Sequence, residues 1–228
     1  MHGLTEYFGS FITGHKKQRI SEVLQYRTRF ITAVVEDVYQ PHNANAVIRT
    51  CDILGIQDLH IIENRNVFKI SAEVALGAQK WVTRIRYNTP GIDNTKQCCV
   101  ALKKAGYRIA AAGLDSKAIP LDEFDITENA APTAVMFGTE ETGLSDSALS
   151  LADCIIKIPM FGFTQSFNIS VSAALILDRL IRKVHKSEIL WNLSENEKDA
   201  LRSEWYRTVL GKRADAIERR FFQGKREL

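Results

Sequence analysis

The sequence predicts an α/β fold in which a parallel β-sheet is flanked by helices. Through the central part of its 228 residues, short apolar runs alternate with segments of helical periodicity. This alternation is typical of strand–helix–strand units, whose helices cover both faces of a parallel sheet. Polar loops that contain glycine follow several of the apolar runs, as expected where the chain leaves the carboxyl end of a strand.

The first part of this central region contains two predicted strands and two predicted helices. The runs FITAVVEDV, residues 30–38, and DLHIIE, residues 58–63, are predicted to be strands. Between them, residues 45–54 are predicted to form a helix that the following glycine ends. The segment TKQCCVALKKAG, residues 95–106, predicts a second helix, again ended by its glycine.

The second part continues the same pattern. Residues 107–114, 133–138 and 154–159 are short apolar runs that predict three more strands. Between the last two, residues 145–152 form a helical pattern that begins with a serine suited to an N-cap. Residues 169–177 carry no charge and predict a helix whose first turns are buried on every side.

Basic residues concentrate at the two ends of the chain. Residues 1–29 are predicted to form a basic helical N-terminal extension, 30–185 the α/β domain, and 186–228 a basic helical C-terminal extension. The net charge is only +3, yet residues 15–29 hold five basic side chains against one acidic, and 205–228 hold seven against three. Two basic ends around an acidic body favour a polyanionic partner. Solvated helix faces are the alternative.

The composition argues against several other classes of protein. No uncharged run approaches the roughly 20 residues of a membrane span, and the basic residues near the N-terminus follow the apolar ones, the reverse of a secretion signal. No pair of cysteines has C-x-x-C spacing, which disfavours a zinc site or a disulfide framework; the four are Cys51, Cys98, Cys99 and Cys154. A reducing cytoplasm without a bound metal is therefore expected.

Three loops are expected to meet at the carboxyl edge of the sheet. They are YQPHNANAVIRT at 39–50, FGTEETGLS at 137–145 and IPMFGFTQSFN at 158–168. The glycine loop GTEETG lacks the Lys-Ser/Thr of a phosphate-binding P-loop, and no G-x-G-x-x-G follows a strand. Glycines mixed with apolar side chains suit a flat aromatic base, held by backbone N–H and C=O groups. Plain turns are the alternative for any single glycine.

Two polar positions stand out beside the apolar helix. Ser166 and Asn168 are both preferred N-cap residues, but both cannot cap the same helix. Because a surface helix of a monomer would not be buried on all sides, we expect a second copy of the chain to pack on it. Arg49 lies six residues after Asn43, so that its side chain would lean back over the loop. Exposure to solvent or pairing with Asp52 is the alternative for Arg49.

The three loops together resemble the three signature motifs of the SpoU branch of the SPOUT RNA methyltransferases. The matching stretches are PHNANAVIRT, MFGTEETGLSDSAL and IPMFGFTQSFNISVSAAL, and the resemblance covers residues 31 to about 184. Both N-x5-R and S-x-N are intact and all three motifs are in order, which makes the signal specific. Within the branch the chain is similar to the TrmH group of tRNA (guanosine-2'-O)-methyltransferases, although enzymes that modify rRNA share the motifs.

This resemblance implies properties that composition and spacing do not reveal. It implies a C-terminal deep trefoil knot, S-adenosylmethionine as cofactor, a homodimer and an RNA substrate. Carried over by position, the cofactor contacts fall at Ala112, Gly138, Ile158 and Phe167. The active-site set falls at Asn43, Arg49, Glu140, Ser166 and Asn168. Relatives often have a polar residue where this chain has Ala112, so that contact is expected to be made by the backbone.

The implied reaction is attack of a ribose 2'-hydroxyl on the methyl group of the cofactor. Because arginine is not deprotonated in proteins, we expect Arg49 to clamp an RNA phosphate and to stabilise developing charge, rather than to act as a base. A guanosine in the tRNA D-loop is the expected target, and rRNA is the alternative. A non-catalytic RNA-binding protein of the same fold is the alternative from another class.

Overall fold

The computed structural model describes residues 2–69, 76–139 and 141–224. The chain divides into two compact units. One, here called the sheet unit, comprises Thr28–Trp191. The other, the helical unit, combines Met1–Arg27 with Asn192–Leu228. The two terminal segments, far apart in sequence, therefore belong to one unit.

The sheet unit is built on a seven-stranded sheet whose strands all pair in parallel. The strands are β1 Ile31–Glu36, β2 Asp58–Ile62, β3 Thr83–Tyr87, β4 Arg108–Ala112, β5 Ile119–Pro120, β6 Thr133–Phe137 and β7 Cys154–Lys157. Their order across the sheet is β3-β2-β1-β6-β4-β7-β5. The predicted α/β class and parallel sheet are confirmed, and so is each strand that the sequence predicted.

Two strands were not predicted from the sequence, and both lie at edges of the sheet. β3, TRIRY, alternates half-buried residues with exposed arginines, so it lacks the continuous apolar run of a central strand. β5 is only two residues long. Central strands differ because they are buried on both faces, as β1 and β6 are along their whole length.

Helices surround the sheet and also make up the helical unit. In chain order they are α1 His2–Gly9, α2 Gly14–Leu24, α3 Pro41–Ile53, α4 Asn94–Lys104, α5 Asp146–Leu151, α6 Ile169–His185, α7 Glu195–Leu210 and α8 Ala214–Gly224. Short 3-10 turns lie at Ala78–Lys80, Glu128–Ala130 and Gly211–Arg213. The predicted helices are confirmed, but α3 begins at Pro41, four residues before its predicted start, because proline is well suited to the first helical turn.

Apolar side chains pack on both faces of the sheet. On one face, Val35 of β1 lies in a cluster with Ile48 of α3 and Leu177 of α6. On the other, Val34 of β1 joins Leu102 of α4. Because successive side chains of a strand point to opposite faces, adjacent residues of β1 contribute to the two different clusters.

One helix holds the long connection between β4 and β6 in place. Lys183 of α6 donates hydrogen bonds through Nζ to the main-chain oxygens of Leu121, Asp122 and Phe124, at 2.8–3.0 Å. Burial is the largest cause of the lowered pKa of this amine. The same connection contains β5, and β7 lies between β4 and β5 in the sheet.

The helical unit has a core of its own. Phe8 of α1, Leu24 of α2 and Trp205 of α7 are buried, and the guanidinium of Arg27 lies 5.1 Å from the centre of the Trp205 ring. Ser194 begins α7 with a reciprocal capping box. Within residues 186–228, the segment predicted as a basic helical extension, α7 and α8 are divided at Gly211, whose φ is +56°.

Candidate functional site

A cavity of about 600 Å³ opens at the carboxyl ends of β4, β6 and β7. Its walls come from residues 112–115 at the end of β4, from the loop after β6, and from residues 155–158, 160, 165–167 and 169. The inner face of α6 closes one side through Ser172 and Ile176. Two of the three polar loops predicted to meet at this edge of the sheet therefore line one cavity.

The residues that the resemblance assigns to the cofactor all line this cavity. They are Ala112, Gly138, Ile158 and Phe167. Residues that the resemblance did not assign complete the apolar wall, among them Leu144, Leu149, Ile156, Met160 and Ile176. Met160 lies in the motif-containing loop and was recognisable from the sequence, whereas Ile176 follows from the folding of α6 over the cavity.

The loop after β6 is closed by its own backbone. Thr139 and Gly143 exchange two N–H to O hydrogen bonds of 3.0 Å. A Cβ added at Gly138 would lie 2.1 Å from the carbonyl carbon of Gly143 and 2.3 Å from the nitrogen of Leu144. Gly143 itself has a φ of +68°. Glycine is therefore required at 138 by close backbone approach and favoured at 143 by conformation.

A buried carboxylate anchors the far end of this loop. Glu36, at the end of β1, accepts hydrogen bonds of 2.8 Å from both the N–H and the hydroxyl of Ser145, and another from the hydroxyl of Thr95. Ser145 in turn caps α5 by accepting from the N–H of Ala148. Sequence reasoning missed Glu36, although a glutamate at the end of an apolar strand was a visible signal.

The first and third motifs meet through a pair of asparagines. Nδ2 of Asn168 donates to Oδ1 of Asn43 over 3.1 Å. Asn168 also caps α6, because its Oδ1 accepts from the N–H of Ser170 at 2.9 Å. Asn43 is 1% exposed, so that its amide is fixed within the protein. Ser166 lies on the cavity wall instead. The question of which residue caps α6 is thereby answered in favour of Asn168.

One residue of the predicted active-site set is not brought into this arrangement, and another lies outside the described residues. Arg49 is exposed on α3 and is not among the residues lining the cavity. Within the described ranges Arg49 forms no hydrogen bond or ion pair, so the alternative of a pair between Arg49 and Asp52 is not observed. Glu140 lies outside the described residues. A single chain therefore joins Asn43 to Asn168 and leaves the guanidinium in solvent.

The apolar helix is only partly covered within one chain. Ala173 and Leu177 of α6 are buried against the core, whereas Val171 and Leu175 are 42% and 44% exposed. The predicted burial on every side is thus not achieved by one chain alone. The loop that precedes the helix exposes Phe161 and Phe163 completely.

Two other features were searched for in the described part of the chain. There, no group of three or more His, Cys, Asp or Glu side chains could hold a metal ion. The helices of that same part include none that is long and apolar enough to cross a membrane. All four cysteines are free, and burial raises the pKa of Cys98, Cys99 and Cys154.

Comparisons with known proteins agree with this architecture. Residues 31–178 match the SpoU rRNA Methylase family. A tRNA (guanosine(18)-2'-O)-methyltransferase of Borreliella burgdorferi is 44% identical over 200 residues, which cover 88% of each chain. The protein of the same name from Thermus thermophilus is 39% identical over 72% of this chain and 81% of its own. The crystal structure of the A. aeolicus TrmH/SpoU tRNA modifying enzyme superposes with a TM-score of 0.75 at 29% identity, covering 87% of this chain and 98% of that one.

Proposed function

The chain belongs to the SpoU rRNA methylase family, and from this premise we propose that it transfers a methyl group from S-adenosylmethionine to a guanosine 2'-hydroxyl in the D-loop of tRNA. The names of relatives that align over most of their length favour tRNA over rRNA as the substrate. Methylation of rRNA remains the second candidate, since the family takes its name from rRNA methylases.

The chemistry of the cavity lining supports this cofactor. Apolar side chains such as Leu149 and Met160 suit the faces of an adenine, and the backbone of the loop after β6 packs closely on itself at the cavity wall. Asp115 and Glu141 contribute carboxylates to the lining, against one cation, Lys157. A lining with more negative than positive side chains suits a ligand that carries sulfonium and ammonium charges, and it disfavours a triphosphate.

When bound, S-adenosylmethionine supplies a methyl group on a positively charged sulfur, so that the leaving group is built into the donor. The protein's part is to align the ribose and to assist loss of the hydroxyl proton. The hydrogen bond between Asn168 and Asn43 holds both side chains in place. They therefore offer preorganised amide groups at the N-terminus of α6. Ser166, on the cavity wall, would orient the ribose from the cofactor side.

Arg49 would act on the RNA rather than on the hydroxyl proton. Its guanidinium presents donors in a planar fork that matches a phosphate bidentately. In this role it holds the phosphate beside the target ribose and stabilises the developing alkoxide. Glu140 is proposed to organise the loop after β6.

We further propose that the working enzyme is a homodimer. Exposed Val171 and Leu175 on α6 leave an apolar stripe uncovered in one chain, and Arg49 lies outside the cavity of its own chain. A second copy packed on α6 would cover the stripe and complete the site. A monomer in sedimentation at micromolar concentration would contradict this.

A trefoil knot is also proposed for the C-terminal part of the sheet unit. The connection from β4 to β6 travels out to β5 and back, and β7 lies inside that excursion. The α6 helix that follows β7 is bonded to the same connection through Lys183. These relations support passage of the chain end through a loop of its own backbone.

Different segments of the chain are assigned different roles in this proposal. We assign catalysis to residues 30–185 and RNA affinity to the basic extensions 1–29 and 186–228. Such affinity would be salt-dependent and largely independent of sequence. Since its substrate would be tRNA, we place the enzyme in the cytoplasm.

The observation that carries the proposal is the assembly of four predicted cofactor contacts in one cavity, beside the bonded Asn43–Asn168 pair. The test is incubation of the purified protein and S-adenosylmethionine with unmodified tRNA transcripts or rRNA fragments, followed by nuclease digestion and mass mapping. A 2'-O-methylguanosine in the D-loop is expected, and a transcript with 2'-deoxyguanosine there should not react. Methylation only of rRNA would support the second candidate, whereas no calorimetric binding of the cofactor would favour a non-catalytic protein.

A further inference from the structure

Two exposed side chains next to the site have no role in the reaction described above. Tyr39 follows β1 and is 72% exposed, and Arg65 lies in the loop after β2 and is also exposed. Within the described ranges, neither side chain forms a hydrogen bond, ion pair or ring contact. An aromatic ring and a guanidinium therefore face solvent at the same edge of the sheet.

Asp37 holds the two loops together. Its Oδ1 accepts the backbone N–H groups of Asn64, Arg65 and Asn66 at 2.7, 2.8 and 3.3 Å. The side chain of Asn66 returns a hydrogen bond of 2.9 Å to the Asp37 main-chain oxygen. Asp37 has a φ of +52°, which is unusual for a residue other than glycine. Such strain persists only where the surroundings fix it, and it is concentrated at functional sites.

A second set of bonds fixes the loop after β2 from its other side. Asn64 donates through Nδ2 to the hydroxyl of Thr95 at 2.9 Å, and its Oδ1 accepts the N–H of Asn94 at 3.0 Å. The backbone that carries Arg65 is therefore held from two sides, by hydrogen bonds to Asp37 after β1 and, through Asn64, to α4. A side chain on so constrained a loop loses less entropy on binding than one on a free loop.

The position of these loops relative to the site follows from the strand order. β1 lies between β2 and β6, and the cavity is lined by Phe137 and Gly138 at the end of β6. Neighbouring strands are about 4.8 Å apart, so that the ends of β1 and β2 are one and two strand spacings from β6. Asn43 follows Tyr39 on the same connection. A nucleic-acid strand that leaves the cavity toward β2 would pass Tyr39 and then Arg65.

We propose that Tyr39 and Arg65 form a contact for the RNA strand on the β2 side of the target ribose, with Tyr39 stacked on an unpaired base and Arg65 bound to a phosphate. This rests on the proposed function and extends it to the path of the substrate. Bases stack on aromatic side chains with little regard to sequence, and the guanidinium fork matches a phosphate.

The charges around Arg65 favour a polyanion over a second copy of this chain. The nearby carboxylates are already engaged, because Glu63 pairs with Arg86 and Asp37 accepts three backbone donors. Lys69 adds a further exposed cation to the same loop. A second copy, by contrast, has the uncovered apolar stripe of α6 to pack against.

The test measures binding of a fluorescent, unmodified tRNA transcript by anisotropy at several salt concentrations, without methyl donor. Tyr39→Ala is expected to weaken binding about tenfold, while Tyr39→Phe, which keeps the ring, should stay within about twofold of the parent. Arg65→Ala should weaken binding about three- to tenfold and reduce the salt slope by about one. Lys104→Ala, an exposed cation at the end of α4, is the matched control and should change little.

Equal behaviour of Tyr39→Ala, Arg65→Ala and Lys104→Ala would overturn the proposal. A weaker dimer in sedimentation of the first two variants, with unchanged RNA affinity, would assign the surface to a second copy instead. Because the assay needs no methyl transfer, its outcome is separate from that of the proposed reaction. A protein that binds tRNA through these residues but methylates nothing would refute the function and leave this contact standing.

Discussion

The sheet unit and the helical unit encode their roles in different ways. The sheet unit holds 17 basic and 18 acidic residues, so it is almost neutral, and its three motifs place particular residue types at strand ends. The helical unit holds 13 basic against 9 acidic residues and none of the motifs. Under the proposed function, chemistry depends on the identity of a few positions, whereas affinity for a polyanion depends on a sum of charges.

The two units also tolerate change differently. In the sheet unit, Asn43 and Asn168 are bonded across 125 positions of sequence, and Gly138 touches the backbone of its own loop. Single substitutions there should have large and specific effects. In the helical unit, we expect the exposed basic residues to act additively, so single substitutions should have small effects on RNA binding and no effect on cofactor affinity.

The largest effect is expected at Arg49. Arg49→Lys keeps the charge but loses the planar fork, so that a bidentate phosphate contact is no longer possible. Turnover should fall about 100- to 1000-fold, the range seen when a donor to a developing charge is removed. Affinity for S-adenosylmethionine, measured by calorimetry, should not change. Near-normal turnover would exclude a bidentate role and would weaken the contrast between the units.

The next effect is expected at the glycine loop. Gly138→Ala places a Cβ within 2.1–2.3 Å of the Gly143–Leu144 backbone, which has to move. We expect cofactor affinity to fall at least about tenfold, with loss of roughly 2 kcal/mol of stability from the forced backbone shift. Gly162→Ala is the matched control, because its Cβ would meet no atom within 4 Å. Calorimetry and urea unfolding of both variants measure the difference, and equal behaviour of the two would refute the packing argument.

The sequence predicted the sheet class and the central strands because both depend on local patterns, such as the continuous apolar runs of β1 and β6. The positions of the cofactor contacts, such as Gly138, came instead from the resemblance of the three motifs to a known family. The edge strand β3 was not predicted, because its apolar residues alternate with arginines and do not form a continuous apolar run. The role of Glu36 was not predicted, because its hydrogen-bond partner Ser145 lies 109 residues away in the sequence.

The union of the two termini in one unit could not be read from the sequence either. The sequence predicts helical extensions at both ends, and the described residues there contain α1, α2, α7 and α8. Their association depends on long-range packing, in which Trp205 of α7 lies against Arg27, just after α2. Such pairing of distant segments leaves no trace in local periodicity.

Acid should weaken the sheet unit in particular. His60 is 7% exposed, its Nδ1 lies 3.1 Å from the hydroxyl of Tyr87, and burial lowers its pKa from 6.5 to about 4. The unfolded chain therefore takes up this proton near pH 6.5, well before the folded chain does. Stability is complete above that pH and is lost progressively as pH falls toward 4, by at most about 3 kcal/mol.

Urea unfolding between pH 7 and pH 4.5 measures this loss. His60→Gln should flatten the dependence of unfolding free energy on pH. Part of the slope will remain, because burial also lowers the pKa of His185. His15→Gln, at an exposed position in α2 of the helical unit, is the control and should keep the parental profile. A parental profile for His60→Gln would show that His60 is not the source of the acid sensitivity.

The smallest effect is expected for neutralised charges on α8. Arg219 and Arg220 are exposed, so Arg219→Ala/Arg220→Ala should leave the fold intact, whereas truncation from residue 205 would remove Trp205 from the core. Loss of two phosphate contacts should weaken tRNA binding about three- to tenfold and reduce the salt slope by about two, with cofactor affinity unchanged. The double variant Lys103→Ala/Lys104→Ala in the sheet unit should bind tRNA nearly as the parent does. If the two double variants lost affinity equally, the basic helical unit would have no special part in RNA binding, and its charge would be that of ordinary solvated helix faces.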